Sequence, residues 1–299
     1  MALGYVRKLG IWLRGHPTLA RWALGLLPDV YWQIDIDPIG KFRIRTRRNR
    51  SYWLHDPLFH EQFPLTALRT LVCRGATVYD VGANIGLYSR FFLNCLGASR
   101  VVAFEPMSDN VLQLIANLEL GGVKNQVTIL QCALADADEQ QDLQLDDFSS
   151  ASAALNSVTG GQASQGRKQY GLPPKTEAVT CRRLDSVFAE MNLPPPDVIK
   201  VDIEGAEVMF LKGALQVLQR HSPKLMIELH GADQAKSVYQ NLRGAGYHCA
   251  GKLSHRMAPA GYGKLNDSLV DQASDLYDIH FLIAAKDAAD LPLDIQIAQ

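Results

Sequence analysis

The stretch that decides the fold is Val78-Tyr79-Asp80-Val81-Gly82-Ala83-Asn84-Ile85-Gly86-Leu87-Tyr88-Ser89. An apolar run typical of a buried strand is followed by two glycines four residues apart and then by the pattern of an amphipathic helix. Glycine is needed where the backbone turns tightly and approaches a ligand without an intervening Cβ. The stretch therefore predicts a strand, a tight turn and a helix, with a ligand site at the turn.

The residues around this turn indicate which ligand it takes. Glu105 ends the next predicted strand, 19 residues after Gly86, where a carboxylate accepts hydrogen bonds from both hydroxyls of a ribose. The spacing is Gly-x-x-x-Gly with Asn84 between, unlike the Gly-x-Gly-x-x-Gly of pyrophosphate-binding loops, and Asp80 would repel a pyrophosphate. A carboxylate suits a ligand that carries an ammonium or a sulfonium. S-adenosylmethionine carries both, and we predict it as the cofactor.

Strand and helix patterns alternate after residue 75, which is typical of βαβ units with a parallel sheet. The predicted strands are 77–80, 101–105, 127–132, 197–202, 224–228, 247–253 and 279–284. The predicted helices are 86–96, 109–120, 184–191, 206–221 and 233–245. These elements predict an α/β, doubly wound, Rossmann-like domain.

Two stretches interrupt this rhythm. Residues 149–171 are Ser, Gly, Ala or Gln at 16 of 23 positions, and we interpret them as a mobile loop between the third and fourth strands. Residues 254–277 form a polar excursion before the last strand. We predict a basic N-terminal extension over residues 1–70 and a catalytic domain over residues 71–299.

Charge is distributed unevenly along the 299 residues. The formal net charge of −1 argues against a dedicated nucleic-acid binder, but residues 1–50 hold ten Lys and Arg against three Asp, a net +7, which leaves −8 for the rest. Residues 3–14 have the spacing of an amphipathic helix, and residues 41–47 alternate like a strand with four cations on one face. Packing within the protein and contact with an anionic membrane surface both remain open for this segment.

The cysteines and the apolar runs bear on location. The five cysteines are scattered without a CxxC or CxxH pair, which favours a reducing, cytoplasmic compartment and no structural zinc. Cations interrupt the N-terminal apolar stretch, so we expect neither a membrane-spanning helix nor a cleaved signal peptide. We therefore predict a cytoplasmic protein, with peripheral membrane contact through the basic extension as an option.

Four motifs resemble the FkbM family of S-adenosylmethionine-dependent methyltransferases over residues 75–285. They are Asp80-Val-Gly-Ala-Asn-Ile-Gly86, Phe104-Glu-Pro106, Ile199-Lys-Val-Asp-Ile-Glu-Gly-Ala-Glu207 and Ile227-Glu-Leu-His230. The resemblance implies a seven-stranded sheet of order 3-2-1-4-5-7-6 with an antiparallel last strand. It also implies methyl transfer, mostly to a hydroxyl oxygen of a sugar, lipid or secondary metabolite. The expected cofactor-binding residues are Asp80, Gly82, Ala83, Asn84, Gly86, Glu105, Pro106, Cys132, Ala133 and Asp202.

The acceptor should meet the residues that close the fourth and fifth strands, because ligands of open α/β sheets bind outside the carboxyl ends of the strands. Those residues are Asp202, Glu204, Glu228 and His230, which we predict to be catalytic. We expect His230 or Asp202 to remove the hydroxyl proton while Glu204 and Glu228 orient the base or the acceptor. Acids at Glu204 and Glu207 would also complement a helix dipole without any catalytic role.

Other interpretations of the same residues remain open. Asp202, Glu228 and His230 could bind a divalent cation that lowers the pKa of the hydroxyl, although we favour a site without metal. A nicotinamide-dependent oxidoreductase or epimerase is disfavoured by the missing glycine and by the lack of a Tyr-x-x-x-Lys pair. A protein that binds S-adenosylmethionine without catalysis is disfavoured by the acids at positions 202 and 228. We expect no nucleic-acid partner, and the sequence does not indicate an oligomeric state.

Overall fold

The computed structural model describes residues 28–54, 58, 61–146, 152–169, 171–230, 232–253, 261–272 and 279–291. The strands are β1 (Tyr31–Ile36), β2 (Gly40–Arg45), β3 (Thr77–Val81), β4 (Arg100–Phe104), β5 (Val127–Leu130), β6 (Ala133–Leu134), β7 (Glu139–Asp146), β8 (Ser152–Leu155), β9 (Thr176–Arg182), β10 (Val198–Val201), β11 (Lys224–Glu228), β12 (His248–Leu253), β13 (Gly261–Lys264) and β14 (Ile279–Ala285). The helices are α1 (Ser51–Leu54), α2 (Gln62–Leu71), α3 (Leu87–Asn94), α4 (Ser108–Leu120), α5 (Asn156–Thr159), α6 (Gln165–Gln169), α7 (Leu184–Glu190), α8 (Glu207–Gly213), α9 (Leu215–His221), α10 (Ala232–Gly244) and α11 (Asp267–Gln272).

The main sheet has eight strands in the order β13-β12-β14-β11-β10-β3-β4-β5. The central strand β3 pairs in parallel with β4 and β10, and β14 runs antiparallel to β11. All seven predicted strands are present, and without β13 their order along the sheet is 3-2-1-4-5-7-6. The strand β13 lies at the edge beyond β12, so the expected count of seven is wrong by one. The Rossmann-like α/β class is confirmed.

Apolar side chains cover both faces of this sheet, as expected for a parallel sheet between two helical layers. Val198 of β10 belongs to the hydrophobic cluster that includes Phe91 of α3. The next residue, Ile199, belongs to the opposite cluster with Phe210 of α8. Because successive side chains of a strand point to opposite faces, the near-continuous apolar run of β10 fills both layers.

The hairpin of β1 and β2 packs on the same core as the sheet. Phe42 and Ile44 are fully buried in the cluster that contains Phe91, which confirms the predicted alternation over residues 41–45. The strand ends at Arg45, so Thr46 and Arg47 lie in the following turn and not on the predicted strand. The buried guanidinium of Arg90 donates hydrogen bonds to the carbonyl oxygens of Ile39 (2.7 Å) and Lys41 (2.9 Å). These contacts join the hairpin to α3. The predicted helix over residues 3–14 lies outside the described residues.

The interpretation of residues 149–171 as a loop is wrong for residues 152–159 and 165–169, which form β8, α5 and α6, and agrees with the turn and irregular backbone of residues 160–164. Residues 152–155 form β8, which pairs antiparallel with β7 in a second sheet of order β6-β9-β7-β8. The backbone hydrogen bonds of this pairing and the burial of Leu155 outweigh a composition that is typical of loops. We call β7, β8 and α5 together the β7–β8 arm (residues 139–146 and 152–159).

Smaller differences concern helices and the second excursion. The helix predicted over residues 206–221 is two helices, α8 and α9, that meet at Ala214. The excursion over residues 254–277 contains β13 and α11. All five cysteines lie among the described residues, and none of them forms a disulfide. In the part of the chain that the structure describes, no helix has both the length and the apolar composition needed to cross a bilayer.

Candidate active site

A cavity with an empty volume of about 690 Å³, partly open to solvent, lies at the carboxyl ends of β3, β4 and β10. We call it the strand-end cavity. Seven of the ten predicted cofactor-binding residues line it: Gly82, Asn84, Glu105, Pro106, Cys132, Ala133 and Asp202. The other three, Asp80, Ala83 and Gly86, do not. The cavity therefore lies where ligands of open α/β sheets bind.

The turn after β3 needs glycine at two positions because a side chain at either one would collide with neighbouring atoms. Gly82 has a φ of +77°, and a Cβ at this position would lie 1.9 Å from the carbonyl oxygen of Asp202. Gly86 has a φ of +94°, and its Cβ would lie 2.6 Å from a methyl carbon of Leu114. The two glycines therefore allow the turn to approach the end of β10 and the side of α4. Their direct role is close packing of the protein with itself.

Glu105 is held in place by three nitrogen donors. One carboxylate oxygen accepts the backbone N–H of Asn84 (2.8 Å), and the other accepts the N–H of Met107 (2.9 Å) and the side-chain amide of Asn110 (3.2 Å). Burial raises the pKa of Glu105 to about 7, although these donors favour the charged form. The carboxylate therefore sits at the cavity in a fixed orientation.

Asp80 lies beneath the cavity rather than in it. Its side chain is fully buried, accepts a hydrogen bond from the Ser89 hydroxyl (2.6 Å) and lies 3.8 Å from the ammonium of Lys200. The register between β3 and β10 places residues 80 and 200 opposite each other. We predicted that Asp80 contacts the cofactor. In the structure its side chain is fully buried and does not line the cavity.

Lys200 is a site residue that the sequence analysis missed. Its ammonium lies 3.2 Å from Oδ2 of Asp202 and 4.4 Å from the ring centroid of Tyr88, whose hydroxyl donates a hydrogen bond to Glu61. Burial favours the neutral amine, but the charges of Asp202 and Asp80 outweigh it and raise the pKa of Lys200. The ammonium therefore stays charged and fixes one oxygen of Asp202.

The four predicted catalytic residues meet at the ends of β10 and β11. We call Asp202, Glu204, Glu228 and His230 the Asp202–His230 cluster. His230 Nε2 lies 4.0 Å from Oδ1 of Asp202 and 3.8 Å from a carboxylate oxygen of Glu204. Burial and the neighbouring charge of Asp202 raise the pKa of Glu228 to about 8. Asp202 and Glu204 also line the strand-end cavity, so the cluster borders it.

Glu207 orients the imidazole of this cluster. Its side chain is fully buried, and Oε1 lies 2.7 Å from Nδ1 of His230 while accepting the N–H of Gly205 (3.0 Å). Burial opposes protonation of His230, but the bond to Glu207 and the charges of Glu204 and Asp202 outweigh it and raise the pKa to about 9. The position of Glu207 in the sequence indicates only a role at the N-terminus of a helix, and its contact with His230 is visible only in the structure.

The cluster also has the donors of a metal site. Ligand atoms of Asp202, Glu228 and His230 all lie within 4.8 Å of one another. Carboxylate oxygens and an imidazole nitrogen suit a divalent cation, and a carboxylate bound to the other imidazole nitrogen, as Glu207 is, often accompanies such sites. Lys200 already supplies a positive charge to Asp202, which weakens the case for a second cation there.

Comparisons with known proteins place the chain in a family. The model of the FkbM methyltransferase domain matches residues 80–249. The AMB antimetabolite synthetase AmbE of Pseudomonas aeruginosa is 29% identical over 179 residues, which cover 52% of this chain and 8% of that protein. The hexuronic acid methyltransferase AglP of Haloferax volcanii is 27% identical over 161 residues, which cover 54% and 59%. The chain thus spans less than two thirds of the length of these relatives.

A solved structure of an FkbM methyltransferase from Methylobacillus flagellatus covers 70% of this chain and 43% of its own, with 17% identity and a TM-score of 0.40. The match to the family model includes the glycine turn, Glu105 and the Asp202–His230 cluster. Because that match spans more than half of the residues, the chain belongs to the family of FkbM methyltransferase domains.

Proposed function

We propose that this methyltransferase uses S-adenosylmethionine to methylate a hydroxyl oxygen of a sugar, glycolipid or secondary metabolite. The observation that carries the proposal is the juxtaposition of the strand-end cavity with His230, whose imidazole is held by Glu207. The name of the relative AglP, a hexuronic acid methyltransferase, supports an acceptor related to sugars.

The residues of the cavity fit this cofactor. In this proposal the fixed carboxylate of Glu105 accepts hydrogen bonds from the ribose hydroxyls, and the negative charges of Asp202 and Glu204, which line the same cavity, stabilise the sulfonium or ammonium. Leu143 and Leu155 add apolar surface to the same cavity. S-adenosylmethionine supplies a methyl group that its positive sulfur already activates, so the protein must add orientation and proton removal.

Proton removal falls to His230 or Asp202 in this proposal. Glu207 occupies Nδ1 of the imidazole, so Nε2 is the nitrogen that faces Asp202 and Glu204. A neutral His230 accepts the hydroxyl proton at Nε2, and the nearby carboxylates stabilise the imidazolium that results. Asp202, fixed by Lys200 at Oδ2, has Oδ1 toward the imidazole and is the second candidate base.

A metal-assisted variant uses the same residues. Asp202, Glu228 and His230 would hold a divalent cation that lowers the pKa of the acceptor hydroxyl. The proximity of their ligand atoms favours this variant, whereas the ammonium of Lys200 beside Asp202 opposes it.

Transfer of a labelled methyl group from S-adenosylmethionine to lipid, polysaccharide and small-molecule fractions of a cell extract tests the proposal. We expect one fraction to be labelled, and both Asp202→Asn and His230→Ala to abolish labelling. Affinity for S-adenosylhomocysteine should change little in His230→Ala, because His230 does not line the cavity. Asp136→Asn removes an exposed carboxylate outside the cavity and serves as the matched control. Failure to bind S-adenosylmethionine, or full activity in both variants, would contradict the proposal.

A further inference from the structure

The strand-end cavity has two walls of different origin. One wall consists of the strand ends and turns of the main sheet, among them Gly82, Glu105 and Asp202. The other consists of Leu143, Ala153 and Leu155 from the β7–β8 arm, which belongs to the second sheet. The arm therefore closes a side of the cavity that the main sheet leaves open.

The pairing of β7 with β8 makes this second wall apolar. Leu143 pairs with Leu155, and Leu145 pairs with Ala153, so these four side chains share one face of the two strands. Leu143 and Leu155 are 2% and 3% exposed, and both belong to a small hydrophobic cluster with Met107. Ala153, the smallest of the four, is partly exposed and lines the cavity, so a larger side chain at this position would project into it.

The lining of the cavity combines acids with apolar side chains. Asp202 and Glu204 belong to the Asp202–His230 cluster, and the turn after Glu204 also meets the arm, because a Cβ at Gly205 would lie 2.8 Å from a methyl carbon of Val158. Leu143, Ala153 and Leu155 line the arm side, together with the apolar Leu134. A ligand with a cationic end and a flat, weakly polar ring gains most when the cation faces the acids and the ring faces the arm. Glu105 then meets the ribose between them.

We propose that Leu143, Ala153 and Leu155 of the β7–β8 arm form the wall against which the adenine base of the cofactor packs. This inference rests on the proposed use of S-adenosylmethionine. It assigns a binding role to a segment whose composition resembles a linker. It also implies that the size of the side chain at position 153 limits the space available to the adenine base. The acceptor then approaches at the Asp202–His230 cluster.

Calorimetric titration with S-adenosylhomocysteine tests the contact through two adjacent residues. Ala153→Phe projects a larger side chain into the cavity and should weaken binding at least tenfold. Ala154→Phe is the matched control, because Ala154 pairs with Gln144 on the opposite face of the strands and does not line the cavity. We expect Ala154→Phe to stay within twofold of the unchanged protein. Equal losses in both variants, or no loss in Ala153→Phe, would overturn the inference.

Methyl NMR identifies which part of the ligand meets the wall. In the complex with S-adenosylhomocysteine, nuclear Overhauser effects should connect the adenine H2 or H8 proton with leucine methyl groups that disappear in Leu143→Ala and Leu155→Ala. Contacts from the homocysteine methylene protons to these methyl groups, or none from the adenine, would refute the assignment. If the unchanged protein does not bind S-adenosylhomocysteine at all, the proposed function itself fails, which is a separate result.

Discussion

Nδ1 of His230 lies 2.7 Å from Oε1 of Glu207, a carboxylate that is fully buried. A buried carboxylate at Nδ1 keeps a proton on that nitrogen and leaves Nε2 as the atom that exchanges protons with a substrate. The pair spans two elements, because Glu207 begins α8 and His230 follows β11. The folding of the sheet therefore determines which imidazole nitrogen faces Asp202.

The first prediction concerns Glu207→Gln. The variant removes the charge that raises the pKa of His230, so the ascending limb of the pH–rate profile, along which His230 loses its proton, should move to lower pH. With the unchanged enzyme, we expect the rate to rise toward about pH 9, because His230 must lose its proton before it acts as a base. We also expect kcat to fall by roughly 10²-fold in the variant, since Gln holds the imidazole less firmly.

Rates across pH 6–10 and calorimetry with S-adenosylhomocysteine check this prediction. The affinity should change less than twofold, because Glu207 does not line the cavity. An unmoved ascending limb in Glu207→Gln would assign proton removal to a group other than His230.

The sequence predicts those features that depend on the ends of parallel strands. Gly82, Glu105 and Asp202 follow three different strands, and they line one cavity because neighbouring parallel strands end at the same edge. The motif order and the strand pattern are sufficient for this conclusion. The same reasoning brings Glu228 and His230 to the edge beside Asp202.

The sequence does not predict features that depend on register or on long-range pairing. Lys200 looks like one polar interruption in an apolar strand, and only its position opposite Asp80 shows that it neutralises two carboxylates. Residues 152–155 lack the strong hydrophobic pattern of a strand, and their pairing with β7 supplies the structure. The one signal in the sequence for a role of Lys200 was its polar side chain within the otherwise apolar strand that leads to Asp202.

A second prediction follows from the environment of Glu105. Its pKa is raised to about 7, and the ionised form accepts hydrogen bonds from hydroxyls and N–H groups. Affinity for S-adenosylhomocysteine should therefore decrease as the pH falls below 7, because protonation removes acceptor capacity. Titrations at pH 5.5, 7 and 8.5 measure this effect. Glu105→Gln should bind S-adenosylhomocysteine weakly at every pH. If the affinity of this variant still decreased below pH 7, the pH dependence would belong to another group.

A third prediction compares two glycines with positive φ. Gly122→Ala, at a φ of +70° with no atom within 4 Å of the added Cβ, should lower the free energy of unfolding by about 1 kcal/mol. Gly82→Ala adds a Cβ 1.9 Å from the Asp202 carbonyl oxygen, and the forced backbone shift should cost about 1–3 kcal/mol more. Urea unfolding measures both. Similar losses for the two variants would show that the turn relaxes freely.

A fourth prediction addresses the metal-assisted variant. We expect methyl transfer to survive exhaustive chelation, because Lys200 already provides Asp202 with a positive charge at 3.2 Å. The measurement is the transfer rate before and after treatment with EDTA, followed by addition of Mg²⁺, Mn²⁺ or Zn²⁺. Loss of activity that one of these ions restores would instead assign Asp202, Glu228 and His230 to a metal.

The last prediction concerns contact with an anionic membrane surface, which we propose for residues 1–27. Within the described hairpin, Arg45 and Arg48 pair with Asp29, and Arg43 lies over the ring of Tyr31 at 3.9 Å. Residues 1–27 hold four Lys and Arg and no acid, and each cation near an anionic surface contributes roughly 1 kcal/mol. Deleting residues 1–27, which leaves the buried hairpin intact, should therefore abolish sedimentation with phosphatidylglycerol vesicles but preserve affinity for S-adenosylhomocysteine. Phosphatidylcholine vesicles are the control, and equal sedimentation of both proteins with the anionic vesicles would contradict the proposal.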